Sequence, residues 1–157
     1  MNQASASQRL GLKVLIILAY ISVFFLLISS PWSLFWFGVG VISGMGFLLA
    51  DERFLHRFYD EKPTDRFLAS RSPLFLLSLM PLTVFILTSS GSYWASGVMG
   101  GMTLFLLLEM TELRRDPAAF DLRFLPTIKG QVSPQHIQFI LLSGWTFFAL
   151  IHLLVIL

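Results

Sequence analysis

Residues 40–52 read GVISGMGFLLADE, and residues 97–109 read GVMGGMTLFLLLE. Aligned without a gap, they share Gly40/Gly97, Val41/Val98, Gly44/Gly101, Met45/Met102, Leu49/Leu106 and Glu52/Glu109. Each copy holds two glycines four apart in an uncharged apolar stretch and runs into a carboxylate. Small residues at that spacing fall on one face of a helix and let two backbones approach closely. Helices in lipid associate in this way, because no hydrophobic force drives them together. The pair therefore predicts two equivalent helices in an apolar solvent, packed through Gly40, Gly44, Gly97 and Gly101.

Composition supports that solvent. The chain has 157 residues, of which 55% are hydrophobic and 13% charged, with a mean hydropathy of +0.76. Soluble domains carry about 25% charged residues, so this chain cannot cover a globular surface with polar groups. The net charge of +2 comes without a basic run or a basic helix face, which argues against nucleic acid as a partner. The absence of cysteine excludes disulfides, thiolate metal sites and thiol catalysis.

Five apolar segments follow from the hydropathy pattern: residues 12–28, 33–50, 73–88, 93–110 and 137–157. Each approaches the ~17–25 residues that a spanning helix needs. Backbone in lipid must satisfy its own hydrogen bonds, and no alternating-polarity strands are present, so the fold class is all-α. The first segment follows Arg9 and Lys13 but lacks a small-x-small cleavage site, and reads as a retained helix rather than a signal peptide.

The charges test the count. Lysine and arginine fall at Arg9 and Lys13; at Arg53, Arg57, Lys62, Arg66 and Arg71; and at Arg114, Arg115, Arg123 and Lys129. Five spans put all three groups on one side, whereas four would scatter them. The opposite connections, SSPWS and SSGSYW, carry no charge. The positive-inside rule then predicts a multi-pass membrane protein, N-terminus cytosolic and C-terminus outside. Trp32, Tyr93 and Trp94 fall at the outer boundary, where aromatic belts lie.

Two same-direction hairpins, spans 1–2 and 3–4, plus a fifth span are the expected architecture, with a pseudo-twofold axis along the membrane normal. Ser72–Pro73, Ser133–Pro134 and Asp116–Pro117 are helix starts. Pro81 predicts a kink in the third span. Phe54, Leu55, Phe58 and Tyr59, and then Phe120 and Phe124, predict helical extensions or short interfacial helices on the inner leaflet.

Candidate chemistry gathers where the repeat ends. Asp51, Glu52 and His56 from the second span, and Glu109 and Glu112 from the fourth, converge if those helices touch. Glu52 and His56 are four apart, which is one face of an α-helix. Carboxylate oxygens with an imidazole suit a divalent cation, Mg²⁺ or Mn²⁺, and beside lipid headgroups such a site would hydrolyse a phosphate ester. The plainer reading pairs these carboxylates with Arg53, Arg57, Arg114 and Arg115 at the helix ends. Glu109 follows an unbroken apolar run and is the foremost single candidate. His152, in the fifth span, is either a proton relay or a histidine bonded to a neighbouring helix. Ser22, Ser43, Ser78 and Thr103 are expected to pack or bond between helices. No P-loop, dinucleotide fingerprint, H-E-x-x-H or nucleophile elbow is present.

GFLLADERFLHRFY, ILTSSGSYWASGVMGGMTLFLLLEM and ELRRDP resemble a set of small uncharacterised bacterial multi-pass proteins. These in turn are similar to the membrane-bound metal-dependent hydrolase superfamily. Members of that superfamily carry His and Asp in these helices. Here Asp51 and Glu52 stand at the first position, and Phe105 and Glu109 at the second. The resemblance implies a fold and a lineage more than an activity. The favoured function is thus a non-catalytic structural or accessory component of the membrane, which binds lipid and itself or another membrane protein. A metal-dependent hydrolase acting on a lipid or phosphate ester at the cytosolic face is one alternative. A small transporter or channel subunit is the other, marked by a polar path from Glu109 to His152.

Overall fold

A computed structural model describes residues 3–28, 30–55, 68–126 and 132–156. They fold into six α-helices and, among the described residues, no strand: α1 (Gln3–Leu27), α2 (Pro31–Ala50), α3 (Pro73–Ser89), α4 (Tyr93–Leu113), α5 (Pro117–Phe124) and α6 (Pro134–Ile156). A π-helical turn, Asp51–Leu55, extends α2, and a 3₁₀ turn, Ala69–Arg71, leads into α3. Three stretches are long and apolar enough to cross a membrane: Pro31–Phe54, Tyr93–Leu113 and Pro134–Leu153. Gly11–Phe25 and Pro73–Ser89 are shorter apolar helices. At 1.5 Å per residue, the 17 residues of α3 span about 25 Å, just under a hydrocarbon core of about 30 Å.

Helix starts follow local chemistry. Ser30, Ser72 and Ser92 accept from the amides of Ser33, Phe75 and Ala95, at 3.5, 3.2 and 3.3 Å. Asp116 accepts from Ala119 at 3.0 Å. Pro follows the cap at Pro31, Pro73 and Pro117, where its missing N–H costs nothing. Pro81 lies inside α3, which runs unbroken from Pro73 to Ser89.

The other helices surround α4. Most of α4 is buried, whereas α2 and α6 bury less than a third of their apolar length. On one side Leu106, Met102 and Met110 meet Leu48, Leu79, Ile137 and Leu141. On the other, Leu104 and Leu108 meet Ile17, Phe24, Phe37 and Val41. Phe120 and Phe124 of α5 are fully buried in the first cluster. Their aromatic face therefore turns into the bundle, where it closes the end of the α4–α6 interface, and it does not turn toward a leaflet. Phe58 and Tyr59 lie outside the described residues.

Candidate functional site

The glycine helices touch through their backbones. A β-carbon added at Gly40 would sit 2.1 Å from the Trp94 carbonyl oxygen, and one at Gly97 would sit 2.2 Å from that of Phe37. One at Gly44 would meet the Val98 oxygen at 2.3 Å, and one at Gly101 the Val41 oxygen at 2.6 Å. These contacts are reciprocal. Exchanging α2 with α4 by the register of the sequence alignment turns the Gly40–Trp94 contact into Gly97–Phe37, and Gly44–Val98 into Gly101–Val41. Both helices advance together along the contact, so they run parallel. Because the crossing fixes their register, their C-terminal ends arrive side by side with Glu52 and Glu109 on adjoining helices.

Arg71 fills the space between those ends. Its side chain is fully buried, yet its donors find partners in a fork. Nε donates to Glu109 Oε2 at 3.2 Å, Nη2 to Glu52 Oε2 at 3.3 Å, and Nη1 to the Leu48 carbonyl at 2.8 Å and to Ser70 Oγ at 2.9 Å. Asp51 Oδ2 lies 4.0 Å from Nη1. The same oxygen accepts from the Ser70 amide at 2.9 Å and from the Ser70 hydroxyl. Arg123 of α5 closes the far side: Nη2 reaches Glu52 Oε1 at 2.9 Å, and the guanidinium donates to Glu109 Oε1. Both oxygens of Glu52 and both of Glu109 thus face a guanidinium. A planar fork serves this purpose and an ammonium does not, because several acceptors in different directions must be met at once.

Burial works against the Arg123 charge, but Glu109 and Glu52 outweigh it and raise its pKa above the ordinary arginine value. A raised folded-state pKa gives a contribution that is complete below the unfolded value and is lost only as pH rises past the folded one. These ion pairs therefore keep their cation throughout the physiological range.

The five candidate ligands divide. Asp51, Glu52 and Glu109 come together in this cluster. Glu112, about one turn further along α4, pairs instead with Lys13 of α1, at 2.5 Å. His56 lies outside the described residues. Among the described residues, no group of three or more His, Asp and Glu side chains is gathered around a point where a metal ion would sit. In this arrangement the carboxylate oxygens of Glu52 and Glu109 point at guanidinium nitrogens.

The partners expected for these acids were Arg53, Arg57, Arg114 and Arg115; those found are Arg71 and Arg123. Arg53, Arg114 and Arg115 are exposed, and Arg57 lies outside the described residues. Arg71 sits in a polar turn outside any apolar segment, and no local pattern marks it as buried. The one available signal was its position, a single residue before the Ser72 cap of α3 and so level with the ends of α2 and α4.

A second polar contact lies among aromatic rings. Tyr20 of α1 and Nε2 of His152 in α6 are 2.8 Å apart, and His152 Nδ1 is 2.7 Å from the Phe148 carbonyl. A carbonyl only accepts, so Nδ1 carries the hydrogen, and in the neutral ring Nε2 accepts from the Tyr20 hydroxyl. Phe24 and Phe148 pack on the imidazole. A β-carbon at Gly100 would lie 2.1 Å from the Tyr20 hydroxyl, so this third glycine makes room for it. Ser22, Ser43 and Ser78 differ from expectation. They are exposed and donate to the carbonyl four residues back in their own helices, each at 2.8 Å, the local alternative open to a serine on a helix surface. Thr103 does both, donating to Met99 at 2.8 Å and lying 3.5 Å from Thr83 Oγ1 of α3. No protein family matches the chain, and no curated protein or solved structure is found similar to it.

Proposed function

We propose that the chain is an integral inner-membrane protein of five spans (α1, α2, α3, α4 and α6), with α5 at the cytosolic edge. In this reading it is a non-catalytic structural or accessory component that works through helix packing with itself or a membrane partner. The apolar helices cover all five hydropathic segments, and the basic residues of the intervening stretches fall on one side under that count. The reciprocal glycine contacts support two related hairpins, α1–α2 and α3–α4.

The carrying observation is the closure of the carboxylate cluster: every oxygen of Glu52 and Glu109 faces Arg71 or Arg123. A hydrolase would need those oxygens for a cation or a water. The region between Glu109 and His152 also argues against transport. Leu104 and Leu108, on the α4 turns beside Glu109, pack with Phe37, Val41 and Phe24 in an apolar cluster, and Phe24 lies against the His152 ring. Metal analysis of the purified protein tests the reading. The expected result is no bound metal and no thermal shift with Mg²⁺, Mn²⁺ or Zn²⁺; one equivalent of metal, lost in Glu109→Gln, would overturn it. Topology is tested separately in this cysteine-free chain. Single cysteines at Ser90 and Ala118, both exposed, are expected to label from opposite sides of sealed vesicles.

A further inference from the structure

A groove of about 330 Å³ runs between α1 and the C-terminal end of α4. Its walls change character along its length. Lys13, Arg114 and Arg115 line one end, and Ile16, about one turn deeper along α1, and Leu108, about two turns back along α4, line the other. Leu108, Thr111 and Glu112 form one stripe of α4, at the three- and four-residue spacing that shares a helix face, and Arg114 and Arg115 follow in the turn after its end. Glu112 holds the Lys13 ammonium at 2.5 Å and fixes it against the groove wall. Thr111 is turned away from any ligand. It donates to the Leu107 carbonyl at 2.7 Å and accepts from Trp145 Nε1 at 3.1 Å. The groove thus presents three cations against one carboxylate, and both arginines are exposed.

We propose that this groove binds the headgroup of an anionic phospholipid, with Arg114 and Arg115 on the phosphate and the first acyl carbons along Ile16 and Leu108. The proposal rests on the membrane reading above, which sets α1 and α4 across the bilayer with these cations at the cytosolic edge. Charge complementarity selects the occupant. A basic pocket between spanning helices at the cytosolic surface is where an anionic headgroup is held, and an apolar wall directly below the charges suits a lipid and not a free anion. A zwitterionic headgroup brings its own cation to the same arginines and gains less. A phosphate ion gains nothing from Ile16 and Leu108.

Purified protein in neutral detergent, titrated with phosphatidylglycerol, phosphatidylcholine or inorganic phosphate, tests it by thermal midpoint and by the mass of retained lipid. Phosphatidylglycerol is expected to raise the midpoint and stay bound, and the other two to do neither. Arg114→Gln with Arg115→Gln is expected to weaken phosphatidylglycerol by about 25-fold, from roughly fivefold per charge. Arg53→Gln, which removes an exposed cation elsewhere, is expected to leave it unchanged. Equal effects of phosphatidylcholine, a matching shift with inorganic phosphate, or full retention by the double variant would each overturn the proposal. The cysteine labels keep the two readings apart. Same-side labelling of Ser90 and Ala118 with the lipid preference intact removes the five-span topology alone. Opposite-side labelling with no preference removes the groove alone.

Discussion

The two ends of the α2–α4 contact are made of opposite materials. Along the middle of both helices, four glycines let carbonyls and α-carbons meet with no side chain between them. At the C-terminal ends, long side chains do all the bridging: Glu52, Glu109, Arg71 and Arg123. The first region is symmetric under exchange of the helices, and the second is not. Its cations come from a turn before α3 and from α5, and its acids differ in exposure, with the Glu52 side chain at 41% and that of Glu109 at 8%. The contrast separates two tasks. Backbone contact fixes register and direction, and it tolerates no substitution in size. The ionic end tolerates some change in geometry, but it does not tolerate the loss of a partner.

Removing Arg71 is the most damaging way to break that contrast. Arg71→Met leaves Glu109 and Asp51 buried with fewer donors, and losing one partner of a buried pair costs about 3–5 kcal/mol. Chemical or thermal unfolding in detergent is expected to show a loss of that size. A shift under 1 kcal/mol would mean the cluster is wetter than its burial indicates. Gly97→Ala comes next. Its methyl would lie on the Phe37 carbonyl, so the helices must separate, at about 1–3 kcal/mol; cross-linking yield between cysteines on α2 and α4 should fall with it. Tyr20→Phe removes the hydroxyl from His152, and interhelical hydrogen bonds in membranes average about 0.6 kcal/mol, so a small drop in midpoint is expected. Gly46→Ala sharpens the comparison from the other side. Nothing lies within 4 Å of its added carbon, and the helix gains about 0.5–1 kcal/mol from the lost flexibility of glycine. Were Gly46→Ala as harmful as Gly97→Ala, close approach would not be what distinguishes the two glycines.

The register of the glycines with Glu52 and Glu109 was legible in the sequence because both features repeat at one offset, and offset is preserved on folding. The helical segments were legible because length and hydropathy are local properties. What completed the cluster was not. Arg71 and Arg123 are ordinary residues of polar connections, and only the path of the chain brings them in. The same holds for Tyr20 and His152, 132 positions apart. The π-helical turn after α2 also escaped, since its five residues, DERFL, carry no composition that distinguishes it from an α-helical turn.

The Tyr20 hydroxyl gives the bundle an order in time. It belongs to α1, and its acceptor belongs to α6, which is made later. At synthesis rates of about 5–20 residues per second, α1 waits on the order of ten seconds for His152. The slot that Gly100 leaves for the hydroxyl arrives earlier, with α4, so α1 finds its berth before it finds its fastening. A nascent chain stalled after α4 would hold α1 by packing and the Lys13–Glu112 ion pair, without the hydrogen bond to His152.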